Sequence, residues 1–254
     1  MKENILGYGV DALSVEECVG SMFDTLGKNH RCNWLACLNP HSYAVALDDE
    51  IFSRALKDAD WLVPDGMGIV MASRMLGGTI RERVTGSDVF CGLHQRMNVE
   101  GGMSVFFLGA TEETLALIRT RMAMDYPDIR VAGTYSPPFK SAYSPDELDE
   151  MINAINVAAP DVLWVGMTAP KQEQWIYNNR ARLNVKFAGA IGAVFDFYIG
   201  RVKRSHPVFQ RLGLEWLPRL LQQPRRLWRR MFVSAPVFVW HVFRQKLRVS
   251  RRHG

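Results

Sequence analysis

The sequence predicts an α/β protein with a Rossmann-like, doubly wound and mostly parallel sheet. Short apolar runs recur along the chain, helical patterns separate them, and Gly or Pro marks the turns between the two. Strands that alternate with helices in this way form parallel sheets. Right-handed crossovers then bring the carboxyl ends of the strands to one edge, where open α/β sheets bind ligands.

The first half of the chain supplies two strands and three helices. "NWLACL" (33–38) predicts the first strand, and apolar residues at helical spacing predict a single helix within residues 42–60. "WLV" (61–63) predicts a second strand, followed by a helix at 69–76. Ser87 is an N-cap candidate for a helix that runs to about residue 98.

The second half repeats the pattern. Apolar runs predict strands at 103–109, 128–133, 161–167 and within 185–197. N-terminal signals predict the intervening helices: Thr111 followed by two acids, the capping box "SPDE" (144–147), and Pro170.

The charge of the chain is unevenly distributed. The 254 residues carry a net charge of +5, but residues 200–254 contain 14 Lys or Arg and one acid, Glu215, against 17 basic and 25 acidic residues elsewhere. A body of charge −8 therefore precedes a tail of charge +13, which indicates a polyanionic partner such as nucleic acid, a membrane surface or a phosphorylated substrate. We expect a catalytic domain at 1–199 and a basic appendage at 200–254.

The tail has the composition of an interfacial element. Its longest apolar window, residues 231–243, contains Pro236 and His241, and it is shorter than the roughly 20 apolar residues that a spanning helix needs. Arg clusters mixed with Trp, Phe, Leu and Val favour an amphipathic element on a membrane surface. The amino terminus does not resemble a signal peptide, and the four cysteines show no metal-binding or disulfide pattern, so we expect a cytoplasmic protein with reduced thiols.

Polar residues follow several of the predicted strands, and we expect them to meet at the binding edge: Asn39, Asp65, Lys171, Gln172, Glu173 and Asp196. In "PDGMG" (64–68), Asp65 is either an ordinary turn residue or a general base. Gly66 beside it would allow a ligand to approach the backbone. Cys37 and Gly109 also lie at strand ends, Gly86 lies in "TGSDVF" (85–90), and all three belong to the predicted substrate-binding set.

Basic groups near this edge could hold phosphate. Arg81 and Arg83 flank Glu82 in "RERV", and an Arg fork matches phosphate oxygens. The free N–H groups at the start of "PKQE" (170–173), together with Lys171, could hold an anion. The alternatives are a solvated charged loop and a polar first helical turn.

Several common motifs are absent from the sequence. It contains no full G-x-G-x-x-G, no P-loop and no G-x-S-x-G, and its six histidines lack metal-site spacing. These observations disfavour a dinucleotide-dependent oxidoreductase, a P-loop NTPase and a dedicated metal site.

The strand-end motifs, taken together and in order, resemble those of the WecG/TagA/CpsF glycosyltransferase family, also called glycosyltransferase family 26. The matching segments include "LNPHSYAVALDDE", "DWLVPDGMGIV", "RERVTGSDVF", "GMTAPKQEQW", "GAIGAVFDFYIGRVKRSHP" and "GLEWLPRLLQQPRR". They extend from about residue 35 to residue 230.

The resemblance implies a metal-independent, inverting transfer without a cofactor. The donor would be a UDP-sugar, with glucose, N-acetylmannosamine or its uronic acid as the sugar, and the acceptor a sugar on a polyprenyl diphosphate, used in bacterial surface polysaccharide synthesis. The enzyme would be peripheral at the cytoplasmic face of the plasma membrane, with a homo-oligomer in solution as a further expectation.

The resemblance also assigns roles to single residues. Asp65 would be the general base, and Asn39, Arg83 and Gln172 would contact substrate. The basic appendage would dock on the membrane and hold the acceptor diphosphate, for which we choose these arginines: Arg219, Arg225, Arg226, Arg229 and Arg230.

The sequence departs from the family pattern in three places. Cys37 occupies a position that holds Thr in members related to teichoic-acid enzymes. "RSHP" (204–207) replaces a family "RAP" triplet, and "GMTAP" replaces the commoner "GLGAP". Two alternative functions stay open at this point, a nucleotide-binding oxidoreductase and a nucleic-acid-binding module that uses the tail.

Overall fold

A computed structural model of the chain describes residues 1–27, 31–202 and 228–250. Its centre is a sheet of six strands that are all parallel, in the order β4-β3-β8-β7-β5-β6. The six strands are β3 Asn33–Leu38, β4 Trp61–Pro64, β5 Ser104–Gly109, β6 Arg130–Tyr135, β7 Val162–Gly166 and β8 Phe187–Ala190. The predicted fold class is therefore confirmed.

Helices cover both faces of this sheet because alternate residues of the strands point to opposite sides. Trp34 and Leu163 belong to one apolar core, and Leu35 and Trp164 belong to the other. The first core is completed by α2 Pro40–Ala46, α3 Glu50–Asp58, α4 Met67–Leu76, α7 Pro145–Ala158, α8 Lys171–Asn179 and α10 Ala235–Ser250. The second is completed by α1 Val15–Leu26, α5 Gly86–Glu100, α6 Glu112–Asp125 and α9 Val194–Tyr198.

An amino-terminal hairpin, β1 Lys2–Ile5 and β2 Tyr8–Asp11, packs beside the edge strand β4. Its two-residue turn has positive φ at both Leu6 and Gly7, which is the type I′ geometry of tight hairpins. The buried Asp11 carboxylate accepts the outward backbone N–H of Leu62 at 2.8 Å. The hairpin thus covers an edge that would otherwise expose unpaired backbone groups.

Local sequence signals explain most helix boundaries, with two corrections. The single helix predicted within residues 42–60 is two helices, because Asp49 caps α3 by accepting the Phe52 N–H. The N-cap of α5 is Thr85 and not Ser87, because Thr85 and Asp88 form a reciprocal capping box. The predicted caps Thr111 and Ser144 are confirmed at the starts of α6 and α7.

The carboxy-terminal part of the described chain packs against the α/β body. A π-helical turn, Arg230–Ser234, leads into α10, which lies against α2 and α4. Phe238 and Val242 of α10 are buried in the first core. Residues 200–254 therefore contribute at least these two side chains to the body, although they were predicted as an appendage.

Candidate functional site

The carboxyl ends of β3 and β4 bring Asn39 and Asp65 together. Leu38 and Pro64 are register partners at the ends of these strands, and the Asp65 N–H continues the pairing by donating to the Leu38 carbonyl at 2.8 Å. One residue beyond Leu38, Asn39 Nδ2 donates to Asp65 Oδ2 at 3.2 Å. The adjacency expected of parallel strand ends is therefore present at these two residues.

Asn39 also caps α2, and the cap orients its amide. Asn39 Oδ1 accepts from the backbone N–H groups of His41 and Ser42 at 3.0 and 2.9 Å. Only the amide oxygen can accept two N–H donors, so the amide nitrogen must face the other way, toward Asp65. A helix cap thus fixes the direction of the hydrogen bond that the carboxylate receives.

Two glycines shape the turn after Asp65. Gly66 has φ +101° and precedes α4, and a Cβ built there would have no atom within 4 Å. The space beside Asp65 is therefore open on that side. At Gly68, a Cβ would lie 2.6 Å from Pro40 Cγ, so only glycine lets α4 begin this close to α2.

The loop before α5 reaches the same edge. The Val84 N–H donates to the carbonyl of Pro64, the last residue of β4, at 3.0 Å. This bond also brings Arg83, the residue before Val84, to the end of β4. Gly86 packs against Ile191 beyond β8, and its N–H faces the Cys37 sulfur. Burial, with the charges of Asp65 and Glu173 nearby, raises the pKa of the Cys37 thiol well above its usual value. Cys37 is therefore a neutral thiol in the wall of the site.

Gln172 and Glu173 form a buried polar pair at the start of α8. Gln172 Nε2 donates to Glu173 Oε1 at 2.9 Å, and Gln172 Oε1 accepts from the Gly192 N–H at 2.9 Å. Gly192, which follows β8, has φ +56°. These bonds tie α8 to the end of β8 and hold the Gln172 amide in one orientation.

Glu173 is buried, and its second carboxylate oxygen has no hydrogen-bond partner among the described residues. Burial raises its pKa from 4.5 to about 7, although the bond from Gln172 acts in the opposite direction. The burial of Glu173 therefore favours its neutral, protonated form, and its charge would act on the nearby Cys37 thiol.

Three predicted site residues have their nearest partners outside this cluster. The Lys171 ammonium sits over the Tyr143 ring at 3.9 Å and donates to the Lys140 carbonyl. Asp196 lies 3.9 Å from the Arg201 guanidinium, on the side of α6. Gly109 ends β5 with φ +111°, where a Cβ would come within 2.7 Å of the Gly166 carbonyl oxygen. Gly109 permits a close approach between strands and provides no side-chain contact.

The carboxy-terminal segment approaches the site through His41. His41 follows Asn39 by two residues, and its Nδ1 is hydrogen-bonded to Ser234 Oγ at 2.9 Å. Burial, with Arg230 and Arg229 nearby, lowers the His41 pKa from 6.5 to about 4. Two of the five predicted tail arginines therefore lie near the start of α2; Arg219, Arg225 and Arg226 lie outside the described residues.

Sequence reasoning missed three residues that build this site: His41, Ser234 and Gly192. Gly192 follows an apolar run, and that position was the available signal for it. The contact between His41 and Ser234 joins residues nearly 200 positions apart and has no local signal. Residues 1–27, 31–202 and 228–250 contain no group of three or more His, Cys, Asp or Glu that could bind a metal ion.

The geometry defines a class of enzyme site. A carboxylate that is held by an amide and bordered by open space lies at the carboxyl edge of a parallel sheet. Such edges bind nucleotides and related ligands, and a carboxylate there can accept a proton from a bound hydroxyl. The arrangement is typical of group-transfer enzymes with a Rossmann-like fold.

Comparison with known proteins identifies the family. The sequence profile described as "Glycosyl transferase WecG/TagA/CpsF family" matches residues 3–252. A Bacillus spizizenii enzyme named N-acetylglucosaminyldiphosphoundecaprenol N-acetyl-beta-D-mannosaminyltransferase is 32% identical over 220 residues, which cover 87% of this chain and 82% of that enzyme. A Staphylococcus aureus enzyme of the same name is 26% identical over 252 residues, covering 98% and 95% of the two chains.

The chain belongs to the WecG/TagA/CpsF glycosyl transferase family, and it is a glycosyltransferase. The resemblance found from the strand-end motifs is confirmed. Family membership also decides against the oxidoreductase and the nucleic-acid-binding module that the sequence alone left open.

Proposed function

We propose that this enzyme transfers an N-acetylmannosamine-type hexose from a UDP-sugar to N-acetylglucosamine on a polyprenyl diphosphate, with inversion at the anomeric carbon. The observation that carries the proposal is the hydrogen bond from Asn39 to Asp65 at the edge of the sheet. The names of the Bacillus and Staphylococcus relatives supply the acceptor and the β-linked N-acetylmannosaminyl product. Glucose and the uronic acid of N-acetylmannosamine are the other donor sugars to be tested.

The proposed reaction needs one base. The Asp65 carboxylate takes the proton of the acceptor hydroxyl as the hydroxyl oxygen forms a bond to the anomeric carbon. The bond from that carbon to the UDP oxygen breaks from the opposite face, and UDP departs with the electron pair. Asn39 acts as a positioning residue, because its amide hydrogen bond directs one oxygen of the carboxylate.

The leaving diphosphate requires positive charge. Arg83 is next to Val84, whose backbone N–H is hydrogen-bonded to the Pro64 carbonyl at the end of β4. Its guanidinium fork suits diphosphate oxygens. Fixed cations and backbone N–H groups can stabilise a departing diphosphate without a metal ion. We therefore propose a metal-independent reaction, which retained transfer in the presence of EDTA would support.

The outer face of α10 supports membrane docking. Its core side carries Phe238 and Val242, and its outer side exposes large apolar residues: Val239, Trp240, Phe243 and Leu247. Lys246 and Arg248 adjoin this stripe, and such a helix suits an anionic membrane interface. None of the described helices is a candidate for a bilayer-spanning segment. We propose peripheral association with the cytoplasmic face, where a lipid-linked acceptor and a soluble UDP-sugar can meet.

A direct assay tests the proposal. The purified full chain is incubated with a short polyprenyl-diphosphate N-acetylglucosamine and with radiolabelled UDP-sugars one at a time, and label in the lipid phase is counted. We expect transfer from UDP-N-acetylmannosamine, and NMR of the product should show a β linkage. Absence of transfer from all the UDP-sugars, or an α-linked product, would contradict the proposed function.

A further inference from the structure

A cavity of about 360 Å³ lies between the amino-terminal hairpin and the last turns of α10. Asn4 and Gly7 line one side, Tyr43 lies at its base, and Arg244 and Arg248 line the other side. Its volume is at the low end for ligand pockets. A small polar group fits such a cavity better than a long acyl chain does.

Hydrogen bonds fix the walls of this cavity. Gln245 Oε1 accepts the Leu6 N–H at 2.8 Å, and Gln245 Nε2 donates to the Asn4 carbonyl at 3.2 Å. Tyr43 Oη and His241 Nδ1 are 2.6 Å apart. Three separate elements are therefore tied together around the cavity, so a ligand would find the site already formed.

The cavity is positively charged. None of the residues that line it is acidic. Within the described residues, neither Arg244 nor Arg248 forms an ion pair with an acidic side chain. Two arginines that line one cavity beside a fixed polar wall favour a phosphate, because guanidinium forks match its oxygens.

The position of the cavity on α10 indicates the source of that phosphate. Helical periodicity puts Arg244 directly beside Trp240 and Leu247, at the border of the exposed apolar stripe, and Arg248 follows Arg244 by one turn on the same side of the helix. Lys246 lies on the opposite border. When the stripe enters the outer part of a bilayer, residues on its borders lie at the depth of the lipid phosphates.

The arginine predicted to contact the acceptor diphosphate lies elsewhere on this segment. Arg230 lies beside His41 near the catalytic edge, and Arg244 is roughly 20 Å farther along the segment at a helical rise of 1.5 Å per residue. We infer that the cavity binds the phosphate of an anionic phospholipid and thereby fixes how the enzyme sits on the membrane. This inference rests on the proposed membrane association.

Vesicle flotation of the purified full chain tests the inference. Vesicles are made of phosphatidylcholine alone or of phosphatidylcholine with phosphatidylglycerol. We expect Arg244→Gln to lower partition onto the anionic vesicles about thirty-fold, as expected for loss of a hydrogen bond to a charged group. The matched control Lys246→Gln removes one positive charge two residues away. It should lower the same partition about five-fold, which is the general contribution of one basic residue near an anionic surface.

Two further arms identify the ligand. Arg244→Lys keeps the positive charge but removes the guanidinium fork. Its partition onto anionic vesicles should lie between those of the wild type and Arg244→Gln. Equal losses of partition for Arg244→Gln and Lys246→Gln, or no loss for either, would overturn the inference that this cavity binds a lipid phosphate. A larger loss for Arg244→Gln on phosphatidylcholine vesicles that carry a polyprenyl diphosphate would assign the cavity to the acceptor and also overturn it. Transfer by the wild-type chain to a short-chain acceptor in detergent reports separately on the proposed function.

Discussion

The candidate site at the sheet edge and α10 use apolar and polar residues in opposite ways. At the edge, polar groups are turned inward: Gln172 and Glu173 are buried, and Asn39 holds Asp65. Along α10, apolar groups are turned outward, and Trp240 is 58% exposed. Each arrangement costs folding free energy unless something else binds there, since buried carboxylates and exposed aromatics are both unfavourable in an isolated protein.

The two regions differ because they suit different kinds of ligand. Under the proposed function, the polar groups at the edge contact a small polar substrate, and the exposed apolar stripe bordered by cations contacts a lipid surface. His41, which pairs with Ser234 and lies two residues from Asn39, connects the two. Four substitutions, taken from the largest expected effect to the smallest, test this division.

Asp65→Asn should lower the transfer rate by about 10²–10⁴-fold, the usual contribution of a general base. The amide is nearly the same size but cannot accept the proton of the acceptor hydroxyl. The measurement is kcat with the lipid-linked acceptor, and Asp48→Asn, at an exposed position, is the matched control. A rate near that of wild type would show that Asp65 is a turn residue and not the base.

Glu173→Gln should remove a pH dependence of stability. The unfolded carboxyl has a pKa near 4.5 and the folded one about 7. Below pH 4.5 both states hold the proton; as the pH rises, the unfolded chain releases it first, so the wild type loses stability until the pH exceeds about 7. Relative to Glu173→Gln, the wild type should lose on the order of 3 kcal/mol of unfolding free energy over this pH range.

Urea unfolding of the wild type and Glu173→Gln at several pH values between 5 and 8 measures this difference. Glu100→Gln, which alters an exposed carboxyl, should follow the wild-type curve. Parallel curves for the wild type and Glu173→Gln would mean that the Glu173 carboxyl is solvated in the native state.

Trp240→Gln should weaken partition onto neutral phosphatidylcholine vesicles about thirty-fold, since burial of a large apolar side chain is worth about 2 kcal/mol. Flotation measures the effect. Met124→Gln replaces a side chain that is 70% exposed on α6, across the sheet from α10, and should leave partition unchanged. Equal partition of wild type and Trp240→Gln would exclude the stripe as the docking face.

Tyr43→Phe should have the smallest effect, about 1 kcal/mol of unfolding free energy, the net contribution of one hydrogen bond. The substitution removes the contact with His241 that joins α2 to α10. Urea unfolding gives the value. Tyr177→Phe, at a partly buried ring of the same core, is the control, and an equal loss for both would show that the bond to His241 adds nothing to docking of α10.

Local signals in the sequence predicted much of the fold but not its amino terminus. Capping residues such as Thr111 and Ser144 predicted helix starts because their side chains bond backbone groups only three residues away. The hairpin at residues 2–11 was not predicted, since Leu6 is an unusual residue for a turn position with positive φ. Its role at the edge of the sheet depends on Asp11 meeting Leu62, a contact distant in sequence.

The candidate site divides in the same way. The positions of Asn39 and Asp65 just after strands were predictable from the sequence, because apolar runs end sharply at "LNP" and "VPDG". Tertiary structure decided that the α2 cap turns the Asn39 amide toward Asp65 and that Lys171 is drawn to Tyr143. Burial likewise decided the raised pKa of Glu173.

The carboxy-terminal segment shows most clearly what could not be predicted from the sequence. Composition alone indicated a basic, amphipathic element for a membrane surface. Only the tertiary structure decided which side of α10 faces outward, because Phe238 and Val242 enter the core and leave Trp240 and Phe243 exposed. Sequence periodicity defines the faces of a helix, but the choice between two apolar faces depends on the surface that the rest of the chain offers.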